Sequence, residues 1–244
     1  FTDYDAPIEF TDMGLYAQAQ TSLMDGAVKL TGSMRYDKSE FFEGTITPRV
    51  GALIFLSENQ NIRMSYQTGF QNPAAQDQYI GLDIGQAVLM GSSPDNVERF
   101  NMRLRGGSGN SYNVTGSQVK LNSYTASSVL AGAPVAAGDL GTVESQNVKS
   151  FDLGYRVNGK KTAFDINAYY TKWDNFISAV NVITPLYGSA SNVLGLYALS
   201  QGDFRVVQMD SNTDEEVNTY GISAGLETSI LNVFDLNMTY SYNK

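Results

Sequence analysis

Apolar and polar residues alternate along much of this chain, and this alternation limits the folds that it can adopt. In the segment 28–37 the even positions are apolar or glycine, and the odd positions are polar or charged. The same period of two recurs in 62–70, 164–170, 220–227 and 234–241. Because successive side chains of a β-strand point to opposite faces, each segment predicts a strand with one apolar and one polar face.

The connections between these segments alternate between short and long. The short ones are predicted to be hairpin turns, some with the Asp-Gly or Asn-Gly pairs that suit them, and they lie at 23–27, 57–61, 157–161 and 229–232. The long ones exceed the usual loop of a compact domain, and they lie at 38–48, 71–147 and 171–218. Antiparallel strands with tight turns at one end and long loops at the other are typical of an outer-membrane β-barrel.

We therefore predict an all-β fold, an antiparallel transmembrane outer-membrane β-barrel with long extracellular loops. Eight strands are recognisable, or ten if 204–209 pairs separately. Arginines on the polar face favour a wide hydrated or plugged lumen over the closely packed interior of a small barrel. Because open sheet edges do not persist in lipid, we expect the remaining strands to lie elsewhere in a longer parent chain. The whole of 1–244 is then part of a single β-barrel domain, with 71–147 and 171–218 as extracellular loop regions.

Composition excludes several classes of function. The 244 residues contain no Cys and no His, which removes disulfides, thiol nucleophiles, Cys or His metal sites and catalytic triads of the Ser-His-Asp type. The net charge of −9 disfavours a nucleic-acid partner, which would need a clustered basic face. No carboxylate pair has a context that supports acid–base catalysis, so we predict neither an enzyme nor a bound cofactor.

Two stretches carry a resemblance to a known family. Residues 47–51 read Thr-Pro-Arg-Val-Gly, and 62–73 then read Ile-Arg-Met-Ser-Tyr-Gln-Thr-Gly-Phe-Gln-Asn-Pro. Residues 150–155, Ser-Phe-Asp-Leu-Gly-Tyr, and 173–177, Trp-Asp-Asn-Phe-Ile, form a later hairpin of the same kind. Together they resemble the barrel of TonB-dependent outer-membrane receptors.

The resemblance implies a barrel of about 22 strands with an N-terminal plug, placed in the outer membrane of a Gram-negative bacterium. Such a receptor takes up a scarce ligand, which can be a siderophore, a cofactor, an oligosaccharide or a peptide. It works with a TonB-type energy-coupling protein, contacts outer-membrane lipid, and in some cases has a surface lipoprotein as a partner. The plug domain and the coupling motif are not in this chain.

Arginines on the polar face are the first candidates for ligand binding. Arg35, Arg49 and Arg63 are predicted to share that face with Gln67. Guanidinium groups recognise carboxylates in a bidentate manner, so these residues could contact an anionic ligand or the plug. The alternative is a hydrated wall in which the arginines pair with Asp37 or Asp152.

Further candidates lie in and beside the long loops. Asn72, Gln76, Asp77 and Tyr79 begin the loop 71–147 and could close over a ligand, as functional loops often do. The alternative is that this segment is only a flexible surface loop. Trp173, just past a predicted strand, is a candidate for stacking on a ligand. Its neighbours Tyr169, Tyr170 and Phe176 would either join it in a platform or, for Tyr170 above all, belong to the aromatic belt that flanks the apolar band of such barrels. These two assignments of the aromatic residues remain open at this point.

Two other segments have weaker patterns. The acidic run 210–216 offers oxygen ligands but lacks the spacing of a calcium loop, so a solvated loop is predicted and no metal site. The glycine run in 104–110 lacks the Lys-Ser or Lys-Thr of a phosphate-binding loop. Two rival functions remain, namely a passive porin with the same strand pattern and a surface β-sandwich for adhesion, whose apolar faces would be buried between two sheets.

Overall fold

The structure, a computed structural model, describes residues 9–213, 215–230 and 233–244. Fifteen strands occur there: β1 (Asp12–Leu23), β2 (Val28–Ser39), β3 (Thr45–Ser57), β4 (Gln60–Gln71), β5 (Gly81–Asp83), β6 (Val88–Met90), β7 (Asn101–Arg105), β8 (Ser111–Thr115), β9 (Tyr124–Thr125), β10 (Gln146–Asn158), β11 (Thr162–Asp174), β12 (Phe176–Pro185), β13 (Phe204–Thr213), β14 (Val217–Ile230) and β15 (Phe234–Asn243). The helices are α1 (Ala75–Tyr79), α2 (Pro94–Arg99), α3 (Gly116–Asn122), α4 (Ala126–Leu130) and α5 (Val193–Ser200), with a 3-10 turn at Met24–Gly26. None of the helices in these residues has the length and apolar character needed to cross a membrane.

The chain divides into two compact units. The sheet unit comprises Phe10–Gln71, Gln146–Phe176 and Glu215–Lys244. The inserted unit comprises, among the described residues, Glu9, Asn72–Ser145 and 177–213. Apart from Glu9, the inserted unit is thus built from two separate stretches of chain.

The sheet unit is a single eight-stranded antiparallel sheet in the order β1-β2-β3-β4-β10-β11-β14-β15. Its neighbours pair over nearly their full length, as β10 does with both β4 and β11. The eight predicted strands and the hairpins between them are confirmed, although residues 231 and 232 of the last predicted turn lie outside the described residues. The predicted long connection 38–48 is wrong, because β2 and β3 continue to Ser39 and from Thr45 and leave only a short link.

One face of this sheet is apolar and exposed. Its large apolar side chains alternate along each strand with mostly polar ones on the other face, as β-strand geometry requires. On β14 and β15, for example, Ile222 is 40% exposed, Leu236 40% and Met238 57%. A water-soluble sheet of this size buries such a face, so this surface is suited to an apolar environment.

The inserted unit contains its own core and two smaller sheets. β5-β6-β13-β12-β9 form a five-stranded sheet, in which β6 and β13 run parallel, and β7 and β8 form a separate hairpin. Val88, Phe100, Leu104 and Val207 are at most 1% exposed and belong to one apolar cluster. Apolar burial of this kind is what normally holds a folded domain together.

The predicted loop regions 71–147 and 171–218 contain strands and helices that the alternation did not reveal. Residues 72–145 contain five strands and four helices in the described chain. The extra strand predicted at 204–209 exists as β13, but it pairs with β6 and not within the eight-stranded sheet. These elements were missed because strands such as β5 and β6 have only three residues and show no period.

Candidate functional site

The polar face of the sheet unit holds the predicted arginines together. Arg49 on β3 lies opposite Gln67 on β4, and Arg63 lies four residues before Gln67 on that strand. Arg35 on β2 lies opposite Thr47 on β3. Thr47 and Arg49 are two residues apart on β3, so they share a face. The register therefore places Arg35, Arg49, Arg63 and Gln67 on one face.

Two of the three arginines have ion-pair partners. Arg35 holds Asp37 in a bidentate contact, with its Nε 2.7 Å from Oδ2 and its Nη2 2.6 Å from Oδ1. Arg63 pairs with Asp165, with Nη1 to Oδ2 at 3.0 Å and Nη2 to Oδ1 at 3.1 Å. The predicted alternative partner Asp152 instead accepts a hydrogen bond from the Ser65 hydroxyl at 3.3 Å. Both pairs are solvent-accessible, so they fix side-chain positions more than they add stability.

Gly154 makes the Arg63–Asp165 contact possible. Gly154 on β10 lies between Arg63 on β4 and Asn167 on β11. A Cβ atom at Gly154 would lie 2.6 Å from the Arg63 Nε and 2.9 Å from the Asn167 Oδ1. The missing side chain therefore lets the guanidinium reach across β10 to Asp165 on β11.

Arg49 is the arginine that remains available. It is exposed, and it forms no ion pair or hydrogen bond with any residue in the described part of the chain. It borders a shallow concavity of about 530 Å³ on the polar face. The concavity is also lined by Arg63, Met64, Ser65, Gln67, Asp152, Asp165, Asn167 and Ser223. An unpaired cation beside amide and hydroxyl groups is the arrangement that receives an anionic or hydrogen-bonding group.

Trp173 lies within β11 and not just past a strand as predicted. It is opposite Val148, and its indole ring meets Phe176 edge to face, with centroids 6.1 Å apart. It shares a face with Tyr169, whereas Tyr170 lies on the other. A single aromatic platform that contains Tyr169, Tyr170 and Trp173 is therefore excluded by the alternation.

Tyr170 instead belongs to an aromatic row on the apolar face. Tyr66, Phe151, Tyr170 and Tyr220 are successive cross-strand partners on β4, β10, β11 and β14. All four are exposed by 41 to 47%. Such a row matches the aromatic belt that flanks the apolar band of membrane barrels. Tyr66, Phe151 and Tyr220 were not singled out from the sequence, because a row across strands appears only once the register is known.

A charged cluster lies next to this row on the same face. Lys149 and Lys172 are cross-strand partners one row nearer the C-terminal end of β4. The Lys149 Nζ is 2.9 Å from Asp174 Oδ2, and Lys172 contacts both Asp174 and Glu216. On β10 and β11 the apolar band thus ends at the aromatic row, as expected where a barrel surface passes from lipid into water.

The four candidates at the start of 71–147 differ in their surroundings in the inserted unit. Asn72 accepts a hydrogen bond from the Ser145 hydroxyl at 2.6 Å, and Asp77 accepts the Ala74 N–H at 2.9 Å at the start of α1. Gln76 is exposed, whereas Tyr79 is only 7% exposed. Of these four residues, only Gln76 therefore has a side chain that is exposed and that forms none of the hydrogen bonds described above.

The glycine run in 104–110 surrounds a carboxylate of the chain itself. The Ser108 N–H donates to Asp203 Oδ1 at 2.9 Å, and the Tyr112 hydroxyl donates to Oδ2 at 2.9 Å. A Cβ atom at Gly106 would lie 2.1 Å from Asp203 Oδ1, so glycine is needed for the close approach. Asp203 is 2% exposed. Burial alone would raise the pKa of Asp203, but the hydrogen bonds from Ser108 and Tyr112 outweigh it and lower that pKa.

The acidic run 210–216 continues strand β13 as far as Thr213, and so it is only in part the loop that was predicted. Burial, with the nearby Asp77 carboxylate, raises the pKa of Asp210. Asp214 lies outside the described residues. Within the described residues no group of three or more acidic side chains is placed to hold a metal ion.

The β7–β8 hairpin was missed although its signal is present in the sequence. Asn101–Arg105 and Ser111–Thr115 each alternate polar and apolar residues on either side of the glycine run. This places Arg103 and Arg105 together on the exposed face. The alternation is only five residues long on each side and lies inside a segment predicted as loop, which is why it was not used.

Comparison with known proteins identifies the family. The family model described as "TonB dependent receptor-like, beta-barrel" matches residues 2–244. No curated protein matches this chain. Among solved structures, the siderophore receptor PirA from Pseudomonas aeruginosa is similar, with a TM-score of 0.56 and 15% identity, over 96% of this chain and 35% of that one.

Two further structures have the same fold. A mutant of the ferric enterobactin receptor PfeA from Pseudomonas aeruginosa, in complex with enterobactin, has a TM-score of 0.59 and 10% identity, over 96% of this chain and 27% of that one. PirA from Acinetobacter baumannii has a TM-score of 0.53 and 10% identity, over 96% and 28%. The chain thus spans about a third or less of the length of these receptors. It belongs to the TonB-dependent receptor family, a family of transport receptors and not of enzymes, and its eight long strands form part of the β-barrel.

Proposed function

We propose that this chain is the ligand-binding wall of an outer-membrane receptor that imports a scarce ligand with energy from a TonB-type coupling protein. The receptor would reside in the outer membrane of a Gram-negative bacterium. The coupling protein and the plug would act through regions outside this chain. The inserted unit would face the cell exterior, where a surface lipoprotein is a further predicted partner.

The observation that carries this proposal is the division of the eight-stranded sheet into two unlike faces. The apolar face ends in the row of Tyr66, Phe151, Tyr170 and Tyr220, and it suits contact with lipid. The polar face carries arginine, amide and hydroxyl side chains, and it suits a hydrated lumen that holds a plug or admits a ligand. This pairing of faces is what a barrel wall requires.

On the polar face, Arg49 and Gln67 are the proposed contacts with the ligand or the plug. Arg49 has no counterion among the described residues, whereas Arg35 and Arg63 are held by Asp37 and Asp165. Gln76 and Trp173 are secondary proposals, and Asn72, Asp77 and Tyr79 support the chain around them. Because the similar structures are siderophore receptors, a ferric siderophore is the first ligand to test.

The exposed apolar face argues against the adhesion sandwich. A sandwich buries that face against a second sheet, whereas Leu153 is 43% exposed and Phe151 47%. A passive porin remains the rival that the strands themselves do not separate from a coupled receptor. The family match favours the coupled receptor.

The test is uptake of radiolabelled iron bound to ferric enterobactin or other siderophores, in cells that carry the full-length receptor. We expect uptake to require both the receptor gene and an intact coupling protein, because the plug blocks passive entry. Uptake that continues unchanged without the coupling protein would show a passive channel. If no siderophore is taken up, the same cells are tested with cobalamin, oligosaccharides and peptides.

A matched pair of substitutions tests the polar face. Arg49→Gln removes the unpaired cation, and Arg35→Gln removes a cation that Asp37 already neutralises. We expect Arg49→Gln to lower uptake several-fold and Arg35→Gln to leave it nearly unchanged. Equal effects of the two substitutions would remove Arg49 from the proposed site.

A further inference from the structure

The β7–β8 hairpin of the inserted unit presents two arginines without counterions. Arg103 and Arg105 lie two residues apart on β7, and both are exposed. Neither forms an ion pair or hydrogen bond with any part of the chain that the structure describes. Like charges this close repel each other, so the arrangement gains stability from an added anion.

The other basic residues of the inserted unit form ion pairs. Arg99 is paired with Asp95 at 3.0 Å, and Lys120 with Asp139 at 3.2 Å. The fifth basic residue of the unit, Arg205, contacts Asp83. Three of five basic residues therefore have acidic partners, and the two that lack them stand side by side.

The cross-strand neighbours of the two arginines supply further polar groups and no negative charge. Arg103 lies opposite Asn113, and Arg105 lies opposite Ser111. Asn113 and Ser111 are exposed on the same face. An anion that met the guanidinium groups would thus also meet amide and hydroxyl donors.

The hairpin that carries these groups is firmly held. Its opposite face buries Leu104 to 1% exposure and Val114 to 0% in the core of the unit. Its turn is fixed by the hydrogen bonds from Ser108 and Tyr112 to Asp203. A rigid support of this kind reduces the entropy lost when a ligand is bound.

From this geometry we infer that the exposed face of the β7–β8 hairpin, the hairpin face, binds a small ligand that carries at least two oxyanion groups. Arg103 and Arg105 are about 7 Å apart along the strand, from the rise of a β-strand. Each guanidinium can bind one carboxylate or phosphate in a bidentate contact. A ligand with two such groups at that spacing engages both arginines, and a single oxyanion engages one.

The inference rests on the proposed role of the inserted unit in ligand capture. Its test is direct binding to the full-length receptor in detergent, measured by isothermal titration calorimetry. The probes are citrate, which carries three carboxylates, inorganic phosphate, which is a single oxyanion, and maltotriose, which is uncharged. We expect citrate to bind at least tenfold more tightly than phosphate and maltotriose not to bind at the hairpin face.

The double variant R103Q/R105Q should weaken citrate binding at least tenfold. The matched control is R99Q, which removes a cation of the same unit that Asp95 already neutralises, and its affinity for citrate should remain within twofold of the wild type. Protease resistance of the inserted unit confirms that each variant is folded. Because Arg103 and Arg105 are exposed, both substitutions should leave that resistance intact.

Each of the following results would overturn the inference. These are equal affinity for citrate and phosphate, citrate affinity unchanged in R103Q/R105Q, and an equal loss in R99Q. Intact coupled uptake with no citrate binding would overturn this inference alone. Citrate binding with uptake that ignores the coupling protein would overturn the transport proposal alone.

Discussion

The two units of this chain use apolar residues in opposite ways. In the inserted unit Val88, Phe100 and Leu104 are nearly inaccessible and pack into one core. In the sheet unit the large apolar residues stand on an exposed face, where Ile222 and Met238 are 40% and 57% accessible. The inserted unit obtains its stability from its own interior, as a soluble domain does, whereas the sheet unit depends on surrounding lipid and on further strands.

This difference explains why similar apolar content gives dissimilar folds. Backbone groups inside lipid must be satisfied by neighbouring strands, so the sheet unit consists of long strands with tight turns. The inserted unit is free of that demand and mixes helices of five to eight residues with strands as short as two. In the sheet unit the chain thus satisfies its backbone hydrogen bonds between neighbouring strands, as a membrane barrel must, whereas the inserted unit is held together by a buried apolar core.

The largest effect is expected from removal of a core side chain in the inserted unit. Phe100→Ala deletes an aromatic ring that is 1% exposed, and we expect it to destabilise that unit by about 3–5 kcal/mol. Hydrogen exchange of the full-length receptor would show loss of protection in β6 and β13 while β10 and β11 stay protected. The control Phe151→Ala, on the exposed apolar face, should leave β6 and β13 unchanged. Loss of protection in both units after Phe100→Ala would contradict their independence.

A smaller effect should distinguish the two faces of the sheet unit. Ile222 and Ser223 are chain neighbours on opposite faces of β14, and Ser223 borders the polar concavity. Ile222→Arg places a charge in lipid, and near the bilayer midplane such a charge costs about 2–4 kcal/mol. We expect about 2 kcal/mol, because Ile222 lies only one row from the aromatic row.

Ser223→Arg, on the hydrated face, should cost well under about 1 kcal/mol, as surface changes usually do. The measurement for this pair is urea unfolding of the receptor in lipid vesicles. If Ser223→Arg proved the more damaging of the two, the assignment of lipid and lumen faces would be reversed.

The smallest effect concerns pH and the inserted unit alone. The pKa of Asp203 is lowered in the folded chain, so its contribution to stability is present above the ordinary aspartate pKa and is lost as the pH falls through the folded value. We expect protease sensitivity of the hairpin 101–115 to rise below about pH 4, near the ordinary aspartate pKa. Asp203→Asn should remove this pH dependence. A wild-type hairpin equally resistant at all acid pH values would show that Asp203 does not hold its turn.

How far the sequence predicts the fold depends on how local each signal is. The strands of the sheet unit were predictable because alternation and turn chemistry act within about ten residues. The inserted unit was not, because β6 finds its partner in β13 on a different stretch of the chain. The helix α5 also lacks an amphipathic pattern, since Val193 and Leu194 are exposed while Gly195 is buried.

The candidate site shows the same division. The sequence predicts a shared face for Arg35, Arg49 and Arg63, because side chains two residues apart on a strand point to the same side. Which arginine has an acidic partner depends on the register of three strands. Arg63 reaches across Gly154 to Asp165, and the sequence alone does not show that its partner is Asp165 and not Asp152. Arg49 stands out only because the structure shows the other two arginines paired.

The parallel pairing of Val88 with Val207 is expected to form late in folding. The two residues are separated by well over a hundred positions, and the whole β10–β11 hairpin lies between them. Contacts of such long range close slowly, because the intervening chain must first be brought together. Until β13 is available, the edge of β6 stays open and Val88 and Met90 stay accessible. The folding chain therefore passes through a period in which this apolar edge can pair with other chains, and that period ends only when the second stretch arrives.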